Sequence, residues 1–306
     1  MQIAILGAGA MGSFFGGRLA EANHAVSLLD VDEAHLASVR RDGLRLSTDS
    51  GDRVVRNLTA TRPEEATQPA DLVIVFTKTM HTAAALTAAR GIFGPQTALL
   101  SLQNGLGNAE RLVQFCSSER VMIGVTTWPA DKSEPGHVSS HGNGTIRLMT
   151  ADGTATPTLA QTVDALNEAG LSCTADPDVW AAIWEKVAFN AALNCLCAVT
   201  QCTVGDLSNT TDGEALSLKI VAEVVAVAHA RNVAANKEQV MANVQHALAH
   251  HGAHRPSMLQ DVLAGRRTEI EAINGAVVEA ARLVGLSVPC TESLLHLVRL
   301  VDARPR

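Results

Sequence analysis

The chain has 306 residues, 47% of them apolar, with 24 Lys and Arg against 31 Asp and Glu and a formal net charge of −7. That is enough core-forming material for about two domains of roughly 150 residues each, and a chain of this size closes a core without disulfides or a structural metal, so its six cysteines are free to be core residues. An acidic balance, 3% aromatic residues and no cluster of Lys and Arg leave nothing to neutralise a phosphate backbone or stack on bases, which excludes nucleic acid as the expected partner.

The chain begins on an apolar run, residues 2–6, with no basic segment or small-residue cleavage site ahead of it. No apolar stretch is read as approaching the ~20 residues that span a bilayer, the richest being the short segment 221–230. A cytoplasmic protein with no membrane association is expected, and in such a chain the sequons at Asn57, Asn143 and Asn209 carry no meaning. Up to about Gly170, short β-like runs at 2–6, 25–30, 72–78, 98–102 and 121–127 alternate with amphipathic segments, the pattern of βαβ units feeding a parallel sheet. Around 138–149, short runs separated by Gly142 and Gly144 predict an antiparallel hairpin closing the sheet edge. Asp176-Pro177 is the expected boundary, because the residue before proline avoids helical geometry and proline suits a helix start. From Asp178 to Leu300, stretches rich in Ala, Leu and Val have helical periodicity, broken by Gly205, Gly213, Gly252 and His254-Arg255-Pro256. The fold class is therefore α/β: a Rossmann-type doubly wound sheet over residues 1–175, then an all-α domain over 176–306.

Gly7-Ala8-Gly9-Ala10-Met11-Gly12 directly follows the first strand and opens a helix, the context that G-x-G-x-x-G requires. Gly7 allows the tight turn, Gly9 lets a pyrophosphate approach the backbone, Gly12 lets helix and strand pack closely, and the helix N-terminus offers N–H groups to anionic oxygens. Asp30 ends the second strand 18 residues after Gly12. A carboxylate there accepts hydrogen bonds from an adenosine ribose and repels a 2′-phosphate, so this residue favours NAD(H). Arg40 and Arg41 lie downstream, either as a solvated pair or folded back toward a phosphate.

In open α/β sheets ligands lie beyond the carboxyl ends of the strands. Lys78 closes the run Leu72-Val73-Ile74-Val75-Phe76-Thr77, and Gln103-Asn104-Gly105 follows Ala98-Leu99-Leu100-Ser101-Leu102 in the same way. In the segment 180–194, Lys186, Asn190 and Asn194 stand at i, i+4 and i+8 on one face of an otherwise apolar helix. Such a stripe is costly to bury unless it faces a polar ligand or forms a closed polar network. Ser257-Met258-Leu259-Gln260 reads as a helix N-cap with glutamine at N3, and Glu269 as an ordinary helical glutamate unless something sets it opposite Lys186. His246, His250 and His254, with His251 beside them, have a zinc-like spacing but lie among polar residues near Gly252, so a solvated helix end is expected and no metal. Cys195, Cys197 and Cys202 lack paired Cys-x-x-Cys spacing and are read as packing residues of an apolar helix.

Taken in order, Gly7-x-Gly9-x-x-Gly12, Lys78, Gln103-Asn104-Gly105, Trp184-x-Lys186 with Asn190 and Asn194, Ser257-Met258-Leu259-Gln260-Asp261 and Thr268-Glu269-Ile270-Glu271-x-x-Asn274-Gly275 resemble the ketopantoate reductase (2-dehydropantoate 2-reductase) family over essentially the whole chain. The resemblance implies a Rossmann domain, a helical domain of the 6-phosphogluconate dehydrogenase type, an active site in the cleft between them, and NADP(H)-dependent reduction of 2-dehydropantoate to (R)-pantoate in pantothenate and coenzyme A synthesis. It further implies that Lys186 is the catalytic lysine and Glu269 its partner, that Asn104, Asn190, Asn194 and Ser257 contact substrate, and that Lys78 and Asn104 lie near the cofactor. The chain departs from the family at Leu29-Asp30-Val31-Asp32, where NADPH-using members usually carry an arginine, and at His254, where some relatives have an amide. These departures keep a second reading open: a same-fold, NADH-dependent reductase of another branched or aromatic 2-keto acid, similar to the D-2-hydroxyacid (D-mandelate-type) dehydrogenases. A silent dinucleotide sensor would have lost Lys186 or Glu269, and both are present. The expected partner is thus a small 2-keto acid, and the apolar helices leave a homodimer open.

Overall fold

The computed structural model describes residues 1–250 and 252–304. The chain divides into two compact units, one made of Met1–Gln103 with Asn108–Val179, the other of Asn104–Gly107 with everything described from Trp180 onward.

The first unit carries strands β1 (Gln2–Leu6), β2 (Ala25–Leu29), β3 (Leu44–Thr48), β4 (Gly51–Val55), β5 (Leu58–Thr61), β6 (Ala70–Val75), β7 (Phe93–Ser101), β8 (Val121–Thr126), β9 (Asp131–Glu134), β10 (His137–Ser140), β11 (Ile146–Thr150) and β12 (Cys173–Ala175). Its helices are α1 (Ala10–Glu21), α2 (Glu33–Asp42), α3 (Thr82–Ala88), α4 (Asn108–Leu112) and α5 (Pro157–Glu168). The main sheet has the order β12-β11-β8-β7-β6-β1-β2-β5 and is parallel except where β11 runs against β8. Its central strands are continuous apolar runs because both faces are covered: Ile3 to Leu6 and Leu72 to Val75 are all buried. Strand order reverses at β1, which pairs with β2 on one side and β6 on the other.

A second sheet, β4-β3-β10-β9, corrects the expected edge hairpin. The segment 138–149 does not fold on itself: β10 pairs with β3 and β9, while β11 joins the main sheet against β8. The alternation Leu44-Arg45-Leu46 before a two-residue Asp49-Ser50 loop was a legible hairpin signal for β3 and β4 that the sequence reading passed over. Helix α1 touches both sheets. Its Gly16 faces Ile5, Val26 and Leu28, and the adjacent Gly17 faces Leu44 and Leu46, so Ser13 to Gly17 are all buried.

The second unit is helical: α6 (Val179–Thr200), α7 (Val204–Ser208), α8 (Thr211–Ala230), α9 (Lys237–His250), α10 (Ser257–Leu263), a π-helical turn (Glu271–Gly275), α11 (Ala276–Leu283) and α12 (Pro289–Asp302). Its core gathers Val187, Ala191, Leu193, Val221, Val224, Val244, Ile273 and Val277. Gly205 and Gly213, expected as breaks, lie inside α7 and α8; the side chains of Thr203 and Thr210 cap those helices and set where they begin. Cys195 and Cys197 are buried in α6, but Cys202 lies beyond its end and is only half-buried. The 22-residue α6 also corrects the expectation that no stretch approaches membrane-spanning length: its length and mean hydropathy of 1.2 would suffice, and 78% of that window is buried inside the protein.

Candidate active site

The glycine loop connects β1 to α1 beside the point of strand-order reversal. Gly7 has φ +99° and donates its N–H to Leu29 O at 2.8 Å; a side chain there would stand 2.5 Å from Thr77 N. A methyl group on Gly12 would sit 1.9 Å from Gly7 O. These two glycines are required by the protein's own packing. Gly9 differs, since its backbone is extended at φ −68° and a methyl group on it would meet no protein atom within 4 Å. Its side is open where a pyrophosphate would approach the start of α1, whose first N–H groups have no side-chain cap at Gly9. Of the remaining loop residues, Ala8 is buried, and Ala10 and Met11 form the first turn of the helix.

Asp30 follows β2 directly, and its Oδ1 accepts hydrogen bonds from the N–H groups of Val31 (2.7 Å) and Asp32 (2.9 Å), which fixes the carboxylate at the strand end. Arg40 pairs with Glu33 and donates to Ala60 O, and Arg41 pairs with Asp42, so both take the solvated-pair alternative. Lys78 lies three residues past β6, ahead of a 3₁₀ turn. The Gln103 side chain holds that loop, donating to Thr77 O at 2.6 Å and to Thr82 Oγ1 at 2.8 Å. The sequence placed Gln103 at a strand end without assigning it this bracing role.

In the second unit, Lys186, Asn190 and Asn194 occupy successive turns of α6. Asn190 and Asn194 are only 8% and 5% exposed, and among the described residues neither amide has a hydrogen-bonding partner in the protein. Two nearly buried amides with unused donors and acceptors on one stripe suit a polar ligand better than a closed network. Burial of the Lys186 ammonium lowers its pKa to about 8, and the opposing influence is the negative charge of Glu269, which favours the ammonium.

Glu269 is not in a regular helix, as the sequence reading had it, but in the bend leading into the π-helical turn. That bend is held from both sides by α12. Thr268 donates its hydroxyl to Asp302 at 2.8 Å, and Glu271 receives a two-pronged Arg299 guanidinium at 2.7 and 2.6 Å. A third tether is Asn274, whose Oδ1 accepts the Cys195 thiol of α6 at 2.9 Å. Asn104 lies in the short segment that packs with this unit. The next residue, Gly105, has φ +85°, a methyl group there would come within 2.4 Å of Ala272 O, and Leu106 N–H donates to that same carbonyl at 2.8 Å. Asn104 and Glu269 are thereby anchored around one turn of backbone. The roles of Asp302, Arg299 and Gly105 follow from chain segments distant in sequence and left no local signal.

Ser257 is exposed at the first position of α10. The expected capping box does not form, because Pro256 is the cap residue and Gln260 Nε2 instead donates to Arg255 O at 3.0 Å. His246 and His250 stack at 4.3 Å, His251 lies outside the described residues, and among the described residues no three His, Cys, Asp or Glu side chains converge as a metal site. Among the sequence candidates, the first unit therefore contains the glycine loop, Asp30 and Lys78, and the second contains Asn104, Lys186, Asn190, Asn194, Ser257 and Glu269.

The family profile "Ketopantoate reductase PanE/ApbA" matches residues 3–153, and that of its C-terminal region matches residues 178–302. The chain belongs to the ketopantoate reductase family. A 2-dehydropantoate 2-reductase of Streptococcus pyogenes is 36% identical over 304 residues, covering 99% of this chain and 98% of that one. Among solved structures, 2-dehydropantoate 2-reductase from Geobacter metallireducens superposes with a TM-score of 0.92 at 30% identity, over 98% of this chain and 99% of that one. D-mandelate dehydrogenase with NADH and anilino(oxo)acetate superposes with a TM-score of 0.93 at 29% identity, over 99% and 98%. This chain is accordingly an oxidoreductase of the ketone-reducing type, with a nicotinamide cofactor as the family's redox partner.

Proposed function

We propose that this ketopantoate reductase family member reduces 2-dehydropantoate to pantoate, with Lys186 as the proton donor to the substrate carbonyl. The observation that carries the reading is the Lys186–Glu269 pair, in the same unit as two nearly buried amides that have no partner within the protein among the described residues, in a chain whose two units both match the family. When bound, the reduced nicotinamide supplies the hydride. The open side of Gly9, the uncapped start of α1 and the fixed Asp30 carboxylate fit a dinucleotide. Gly7 to Gly12 would hold its pyrophosphate, Asp30 its adenosine ribose, and Lys78 and Asn104 its neighbourhood. Negative charge grows on a ketone oxygen during reduction, and the Lys186 ammonium stabilises that charge and then protonates it. Glu269 keeps the lysine in its charged form and orients it. Asn190, Asn194, Asn104 and Ser257 hold the substrate's carboxylate and hydroxyl, which turns an encounter into an aligned complex.

A second reading, an NADH-dependent reductase of a bulkier 2-keto acid, is favoured by Asp30 and by the likeness to D-mandelate dehydrogenase. Fold does not choose substrate. Initial rates with NADH and NADPH against 2-dehydropantoate and a panel of branched and aromatic 2-keto acids decide between them. The first reading expects 2-dehydropantoate to have the highest kcat/KM, and an aromatic 2-keto acid ahead by tenfold replaces it with the second. Asp30 supports NADH as the better cofactor in either case. The glycine loop gives a further expectation. Gly9→Ala meets no protein atom and keeps an extended backbone, so its melting temperature should match the wild type while dinucleotide affinity, read by calorimetric titration, falls by about tenfold or more. Equal affinity would remove Gly9 from the binding surface.

A further inference from the structure

Ser13 and His35 are both fully buried, and the chemistry above uses neither. Three hydrogen bonds join them in series. Gly136 N–H donates to His35 Nδ1 at 3.0 Å, His35 Nε2 lies 2.9 Å from Ser13 Oγ, and Ser13 Oγ donates to the carbonyl of Ala8 at 2.9 Å. The donors fix where the protons are. A backbone N–H can only donate, so Nδ1 accepts and the neutral imidazole carries its proton on Nε2. The Ser13 hydrogen is committed to Ala8, so its oxygen receives the Nε2 proton. An imidazolium would set two donors head-on at Gly136. Burial lowers the His35 pKa, Lys132 on β9 lowers it further, and Asp32 and Asp30 oppose both; Lys132 is itself paired with Asp32 at 2.8 Å.

The receiving carbonyl belongs to the Ala8–Gly9 peptide, in the middle of the glycine loop. In a trans peptide the C=O and the following N–H point in opposite directions. Holding Ala8 O inward on Ser13 therefore aims Gly9 N–H away from the buried network. We infer that Ser13 and His35 are positioning residues for the dinucleotide: a relay from the β9–β10 turn at Gly136 sets the Ala8–Gly9 peptide plane so that Gly9 N–H meets a pyrophosphate oxygen. This deepens the cofactor reading above and rests on it. The relay also gives the second sheet a function, because Gly136 is in the turn that joins its strands β9 and β10 while the loop follows β1 of the main sheet.

Ser13→Ala deletes the central link while keeping a good helix former in α1. NADH and NADPH are titrated calorimetrically into wild-type and variant full-length chain, and steady-state rates are measured at saturating cofactor. The expected result is an affinity loss of about tenfold, with kcat and the 2-keto acid KM within twofold of wild type. A purely structural role would lower the melting temperature and leave the Kd of the folded fraction unchanged, which overturns the inference. Wild-type chain that binds neither dinucleotide overturns the cofactor reading instead. A second measurement needs no folded variant: ¹⁵N-histidine NMR of the wild type at pH 7, where His35 is expected as the neutral Nε2–H tautomer. A charged His35 or an Nδ1–H tautomer overturns the relay.

Discussion

Lys186→Ala is expected to lower kcat for 2-keto acid reduction by roughly 10²- to 10⁴-fold, the range for losing a positioned proton donor. The fold should survive the change. The side of α6 that builds the second core is formed by Val187, Ala188, Ala191 and Ala192, and Lys186 is not part of it. Removing the ammonium also strips Glu269 of the cation it acts on, so substrate KM should rise together with the fall in kcat. Dinucleotide affinity should not move, because the glycine loop belongs to the other unit. This split, with turnover lost and cofactor binding retained, is what rate measurements at saturating substrate combined with cofactor titration would read. Turnover within tenfold of wild type would remove Lys186 from the chemistry.

The pH dependence follows from the same side chain. With Lys186 as the proposed proton donor, reduction needs the ammonium, and burial brings the Lys186 pKa down to about 8. The rate of reduction should therefore be flat below that pH and fall about tenfold per unit above it, while alcohol oxidation, which needs the neutral amine as base, should rise through the same region. Glu269→Gln tests the coupling. The glutamate charge raises the lysine pKa, so its removal moves the break to lower pH. Each unit of displacement costs about tenfold in reduction above the break, and the variant should retain most activity at pH 6 and least at pH 8. A break unmoved by Glu269→Gln would show that the two groups are not electrostatically coupled during turnover.

The Lys186 stripe illustrates why part of the candidate site was legible in the sequence. Its i, i+4, i+8 spacing is a property of one helix, and so is the glycine loop's relation to the strand before it and the helix after it. Glu269 was legible only as a member of a recognisable block. The expectation that it stands in an ordinary helix failed because its geometry is imposed by Asp302 and Arg299, some thirty residues away, and by Gly105, over a hundred and sixty residues away. The expected hairpin at 138–149 failed for the same reason: two short β-like runs in succession suggest mutual pairing, but β10 finds β3 across roughly ninety residues.

The sequence by itself determined the parallel α/β first half, the helical second half, the glycine loop between β1 and α1 and the alignment of Lys186, Asn190 and Asn194, because each depends on side-chain periodicity or on contacts within a few residues. Only the tertiary structure decided the pairing of β10 with β3 in the second sheet, the relay through His35 and Ser13, the bracing of the Lys78 loop by Gln103 and the presentation of Glu269. In each of these a polar group finds its partner in a separate segment, and no local pattern encodes which segment will supply it.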